Sequence, residues 1–140
     1  MKEGYIVLMP NEDIIQLDNL NDVVLMIQEF NKKTIEEYCD DYEIEYDDMS
    51  KNEMNFASGY SVGMPRVFKT EDVVDIIKKS NIIQCEKDSL ISKFKLTDKK
   101  INLEDYPDLE DILDECDEIA VENYPEWYKI INCYFILLRV

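Results

Sequence analysis

The chain switches between two hydrophobic periods. Tyr5 to Met9 is apolar at every position, as an interior strand covered on both faces requires. Pro10-Asn11 breaks that run before a second short one, Ile14-Ile15-Gln16-Leu17, so a hairpin is the simplest reading. The period then lengthens. Leu20, Val23, Val24, Ile27 and Phe30 recur at helical spacing behind a cap at Asn19 or Asn21, which predicts a helix through Phe30. Alternation returns at Tyr42-Glu43-Ile44-Glu45-Tyr46 and again from Met54 to Met64, and both segments read as strands. In the longer one Met54, Phe56, Tyr60, Val62 and Met64 share one face, and the small residues Ala57, Gly59, Ser61 and Gly63 share the other. Thr70 is placed to cap a further helix whose first turn holds Glu71 and Asp72 and whose last holds Lys78 and Lys79, each matched to the helix dipole.

Two of these segments resemble two others. Residues 4–10 read GYIVLMP and residues 59–65 read GYSVGMP, identical at five of seven positions. Asp22-Val23-Val24-Leu25-Met26-Ile27 followed by Asn31 is matched by Asp72-Val73-Val74-Asp75-Ile76-Ile77 followed by Asn81. Two matches in the same order describe a degenerate duplication over residues 4–31 and 59–81, each copy a strand, a turn and a helix. Two copies are too few for a solenoid. The expectation is a single α+β domain over residues 1–140, with a mostly antiparallel sheet built from the duplicated unit and helices packed on it.

The last forty residues have a different character. Leu109, Ile112, Leu113, Cys116 and Ala120 form an apolar stripe opposite Asp108, Asp111, Glu115, Glu118 and Glu122, which predicts an acidic amphipathic helix. The closing run over residues 127–140, WYKIINCYFILLRV, reads as a helix because Lys129, Asn132 and Arg139 fall within about 80° on a helical wheel. Its β-branched and aromatic content keeps a strand as the alternative.

Composition narrows the chemistry. The chain has no His, and Cys39, Cys85, Cys116 and Cys133 stand apart with no CxxC pair, so zinc-site spacing is missing and the cysteines read as reduced core thiols. Without His, the usual triads and the usual general base at neutral pH are missing too, and the reading is of a protein that is not an enzyme. No cofactor motif is present either: Gly59-Tyr-Ser-Val-Gly63 lacks the Gly-Lys-Ser/Thr ending of a phosphate loop. The window from Asp41 to Asn52 lacks both the Gly and the final Glu of an EF-hand, so no metal site is assigned. No apolar run is long enough to span a bilayer, and the N-terminus lacks the features of a signal peptide, which places the protein in the cytoplasm.

Charge supplies the functional expectation. With 32 acidic and 15 basic side chains the net charge is −17, a field that repels nucleic acids and anionic membranes and favours a basic protein partner. Two stretches contain no Lys or Arg. The first holds Glu36, Glu37, Asp40, Asp41, Glu43, Glu45, Asp47 and Asp48 with Tyr42 and Tyr46 between them; the second, over 104–126, holds the acidic helix face named above. Along that face a carboxylate recurs about every 5 Å over about 21 Å, a density comparable to the phosphates of a nucleic-acid strand. Tyrosine is a low-entropy interface anchor, so Tyr42 and Tyr46 join these acids as candidate partner-binding residues. Solvation is the plainer role for either stretch. The expected function is a small acidic inhibitor that occludes a basic nucleic-acid-handling protein, of the immunity, antitoxin or phage anti-restriction or anti-CRISPR type. A non-catalytic adaptor or homo-oligomer is the alternative, and a carboxylate-metal hydrolase the third reading.

Overall fold

β1 (Tyr5–Leu8) and β2 (Asp13–Leu17) form the expected hairpin at the centre of a four-stranded antiparallel sheet in the order β3-β1-β2-β4, with β3 at Arg66–Lys69 and β4 at Ile101–Asn102. The computed structural model describes residues 4–94 and 101–128. The hairpin turn closes through the Met9 N–H, which donates to the Asp13 carbonyl at 2.8 Å. Within it Glu12 takes a left-handed conformation at φ 73°, uncommon for a residue with a side chain.

Register divides the apolar residues between two layers. Val7 lies opposite Ile15 and Val67, while Leu8 lies opposite Ile14, and Ile6 opposite Phe68. On one face Tyr5, Val7 and Val67 pack with Val23 and Ile27 of α1 (Leu20–Tyr42). On the other, Ile6, Leu8, Ile14 and Phe68 pack with buried residues of α3 (Thr70–Lys79), α4 (Gln84–Phe94) and α5 (Leu109–Asn123). Ile6, Ile14, Val23, Ile77 and Leu113 are fully buried, each contributing about 1.5–3 kcal/mol of hydrophobic stabilisation. The class expected from the sequence, α+β with an antiparallel sheet and helices packed on it, is the class observed.

α1 begins as expected, with the Asn19 side chain accepting from the Asp22 N–H at 2.9 Å. It does not stop at Phe30. Asn31, Thr34, Ile35 and Cys39 continue the buried stripe to Tyr42, and polar Asn31 and Thr34 within that stripe are what disguise it in the sequence. The strand expected at Tyr42–Tyr46 is therefore the end of α1, its cap at Glu43 in the left-handed region (φ 55°), and a 3-10 turn over Tyr46–Asp48. The strand expected from Met54 to Met64 is also absent. α2 (Lys51–Ala57) occupies its first part, opened by a capping box in which the Ser50 hydroxyl accepts from the Glu53 N–H and the Glu53 carboxylate accepts from the Ser50 N–H. A turn over residues 58–64 occupies the rest. GYSVGMP thus forms a turn where GYIVLMP forms β1, and the strand of the second copy, β3, follows the matched block.

Other expectations need adjustment. Lys69 is the N-cap of α3, Thr70 is its first helical residue, and the Thr70 N–H donates to the Gly4 carbonyl at 3.0 Å. Cys39 and Cys116 are buried thiols, but Cys85 is exposed, and Cys133 lies outside the described residues. α4, β4 and a 3-10 turn over Leu103–Asp105 carry no counterpart in the sequence reading. α6 spans Pro125–Tyr128; the choice between helix and strand beyond it falls outside the described residues.

The 58–64 turn depends on Gly59. It sits at φ +73°, its N–H donates to the Thr34 hydroxyl at 3.1 Å, and a Cβ there would lie 2.7 Å from the Gly63 carbonyl. Gly59→Ala is expected to lower stability by about 1–3 kcal/mol in urea denaturation. At Gly63 (φ +96°) nothing lies near the added methyl, so Gly63→Ala should cost less.

Candidate functional site

The acidic residues singled out from sequence form two surfaces in different layers. The first lies on α5 and its neighbour α3. Burying Leu109, Ile112, Leu113, Cys116 and Ala120 turns the opposite side of α5 to water, and Asp108, Asp111, Glu115, Glu118 and Glu122 are all exposed there. Between the two helices runs an open groove of about 730 Å³. Asp108, Asp111 and Glu115 line one wall, Asp72, Asp75 and Lys79 the other, with Ile76 and Ile112 between them. None of the five groove carboxylates makes an ion pair with a described residue. Burial holds Asp72 above the usual carboxylate range; Lys69 opposes that shift, and Glu71 and Asp75 add to it.

The flank of α5 facing β3 is used internally. Arg66 pairs with Asp117 and, at 3.1 Å, with Asp114, and its guanidinium lies 5.2 Å from the centre of the Phe68 ring. Asp114 and Asp117 tie α5 to the sheet. The groove-side acids are left facing solvent.

The second surface is the C-terminal end of α1. Glu36, Glu37, Asp40, Asp41, Glu43, Glu45, Asp47 and Asp48 are exposed there. A shallow hollow of about 380 Å³ gathers Glu36, Asp40, Glu43 and Glu45 around half-buried Tyr46, which packs against the small cluster of Ile35, Cys39, Met49 and Ala57. Burial and then the charge of Asp40 push the Cys39 thiol up, so it stays protonated beside the Met49 sulfur at 3.1 Å. No basic residue stands in the last turn of α1, where the helix dipole favours one.

The other flank of the same helix end bears rings that the sequence did not bring together. Tyr38 and Tyr42, one turn apart, meet at 4.6 Å between ring centres. Phe56 from α2 and Tyr60 from the 58–64 turn stand edge-on to Tyr38 at 6.2 and 5.3 Å. The Tyr60 hydroxyl donates to the Asp41 carboxylate at 2.8 Å. Ser50-x-x-Glu53 was the available signal: read as a capping box, it makes the segment a helix and moves Phe56 next to α1. Asp72 and Asp75 were likewise missed as groove residues: Asp75 is exposed on the side of α3 away from buried Val73, Ile76 and Ile77, and Asp72 lies at the border of that stripe, one turn before Ile76.

Among the described residues no group of three or more Cys, Asp or Glu side chains has the arrangement of a metal site, and no helix is long and apolar enough to cross a membrane. The fold and these two surfaces define an acidic α+β protein whose most distinctive chemistry is outward-facing carboxylates and clustered rings. No protein family matches the chain, and neither does any curated protein or solved structure compared with it.

The Tyr60–Asp41 bond has a measurable signature. The carboxylate accepts only from a protonated phenol, so the bond, with some desolvation and the Asp41 charge, raises Tyr60 from 10.0 to about 12. What it contributes to stability is therefore complete below the ordinary tyrosine range and is lost as pH rises through about 12. Titration of tyrosinate absorbance should reveal this high midpoint, and Asp41→Asn should bring it back toward 10.

Proposed function

We propose that this protein is a small cytoplasmic inhibitor, not an enzyme, that binds and occludes a basic nucleic-acid-handling protein by presenting carboxylates where that protein expects phosphates. The observation that carries the reading is the groove whose two walls, on α3 and α5, supply Asp72, Asp75, Asp108, Asp111 and Glu115. Two rows of acids on rigid helices offer a basic side chain carboxylates on both sides at once. Asp114 and Asp117 already engage Arg66, which leaves the groove row for a partner. The field of a chain of net charge −17 steers a cationic partner toward it and repels nucleic acid and anionic membrane. Immunity proteins, antitoxins and phage-encoded blockers of restriction or CRISPR effectors share this physical description. The second reading is a non-catalytic adaptor or homo-oligomer, and exposed Phe56, Val62 and Met64 favour its adaptor form.

Affinity capture from the host is expected to return a basic nucleic-acid-binding protein whose association rate falls steeply with added salt. Recovery of acidic or neutral partners alone defeats the proposal. Each exposed pair is worth about 0.2–1 kcal/mol, so single neutralisations should be nearly silent, while Asp111→Asn, Glu115→Gln and Glu118→Gln together should weaken binding about tenfold or more. The triple variant should stay folded, because all three side chains are exposed and their loss relieves repulsion. Neutralising Glu43, Glu45 and Asp47, in the other layer, should have the smaller effect; the reverse order would move the inhibitory face to α1.

Nucleic acids incubated with the protein and Mg²⁺ or Mn²⁺ should remain intact. Cleavage that disappears on substituting one carboxylate would replace inhibition with the hydrolase reading.

A further inference from the structure

We infer that the ring cluster at the end of α1 is a docking surface for an arginine-bearing segment of a protein partner. This shares with the proposed function only the premise of a cationic partner, and it can fail while the α3–α5 groove succeeds.

Exposure is the first argument. Phe56 is 80% exposed, Tyr42 58%, Val62 53% and Met64 37%, so four of the seven most exposed large apolar side chains among the described residues belong to this one region. Such a concentration marks interaction surfaces, whereas single exposed apolar residues are ordinary.

Charge decides what kind of partner fits. Asp41 holds the Tyr60 hydroxyl at 2.8 Å, and exposed Glu37 lies one turn before Asp41 on α1. The carbonyl end of α1 adds the negative pole of the helix dipole with no basic residue near it in sequence. Ring faces contribute a third source of negative potential. All three favour a cation.

The rest of the molecule supplies the comparison. Phe68 has Arg66 at 5.2 Å, Tyr124 has Lys69 at 4.1 Å and Tyr106 has Lys93 at 4.7 Å. Among the described residues, no Lys or Arg covers Tyr38, Tyr42, Phe56 or Tyr60. Arg66 also shows the chemistry in miniature, a guanidinium stacked by a ring and held by two carboxylates. Arginine suits the vacant version better than lysine, because its plane can stack on a ring while its fork meets a carboxylate. A second copy of this chain fits poorly: a two-fold contact would set Glu37 and Asp41 against their own equivalents.

The test uses a capped Ala-Arg-Ala-Arg-Ala peptide and its lysine counterpart, followed by calorimetry and by the NMR signals of the aromatic rings. The arginine peptide should shift the Tyr42, Phe56 and Tyr60 ring signals and bind at least about fivefold tighter than the lysine peptide. The double variant Tyr42→Ser, Phe56→Ser should abolish the shift of the remaining Tyr60 ring and the heat of arginine-peptide binding. Asp41→Asn, a change too small to threaten the fold, should also weaken binding, and the α5 triple variant should leave it within about twofold. Shifts confined to α5, equal binding of both peptides, or self-association that Phe56→Ser abolishes would each overturn the inference.

Discussion

β1 is buried on both faces, and the placement of every functional group follows from that constraint. A strand covered above and below must carry apolar side chains at consecutive positions, as Tyr5, Ile6, Val7 and Leu8 do. Because alternate residues point to opposite faces, the register with β2 and β3 fixes which residues meet α1 and which meet α3, α4 and α5. A one-residue slip would exchange the two sets. The same division sends the acid-rich stretch 36–48 to one layer and the acid-rich stretch 104–126 to the other. A partner seated in the α3–α5 groove consequently leaves the end of α1 available.

The second acidic surface exists because α1 is longer than the sheet it covers. Its 23 residues span about 34 Å, while a four-residue strand such as β1 extends only about 13 Å. The overhanging half needs its own cover, and α2 with the 58–64 turn provides it. Asn31 and Thr34 mark the change of partner along the helix. Thr34 donates its hydroxyl proton to the Asn31 carbonyl at 2.9 Å and accepts the Gly59 N–H, so a single side chain fastens the turn to α1. Ile35, Cys39, Met49 and Ala57 form the small core beneath. That core is too small to enclose Tyr42 and Phe56 as well, which is why the rings emerge as a patch.

The legible parts of the sequence were those where one face of an element is uniformly apolar. β1, the hairpin, the start of α1, α3 and α5 all satisfy that condition, and the sequence narrows the cap of α1 to Asn19 or Asn21, of which Asn19 is the one used. The misread parts break it for identifiable reasons. Asn31 and Thr34 are buried polar residues that interrupt the stripe of α1, so the pattern ends the helix at Phe30. Met54, Phe56, Tyr60, Val62 and Met64 alternate by coincidence across a helix and a turn, and much of that set is exposed. The exposed acids of α5 were legible because helical period fixes their side. Their pairing with Asp72 and Asp75 was not, since it depends on two helices separated by α4 lying together.

Among the described residues nearly all the carboxylates of this acidic chain stay in water, and the few that do not indicate where a cation would matter. Asp72 is one of these: it is partly buried, and that burial raises it. A carboxylate raised on folding disfavours the folded state at any pH above that raised value, and the penalty fades as pH falls toward the unfolded range. Linkage makes the relation reciprocal: a cation that binds the charged form lowers the raised value by as much as the charge strengthens binding. At Asp72 this stress lies inside the α3–α5 groove, with Asp75 adding to it from the same helix. A basic side chain entering there would therefore relieve a cost of folding as well as form a contact.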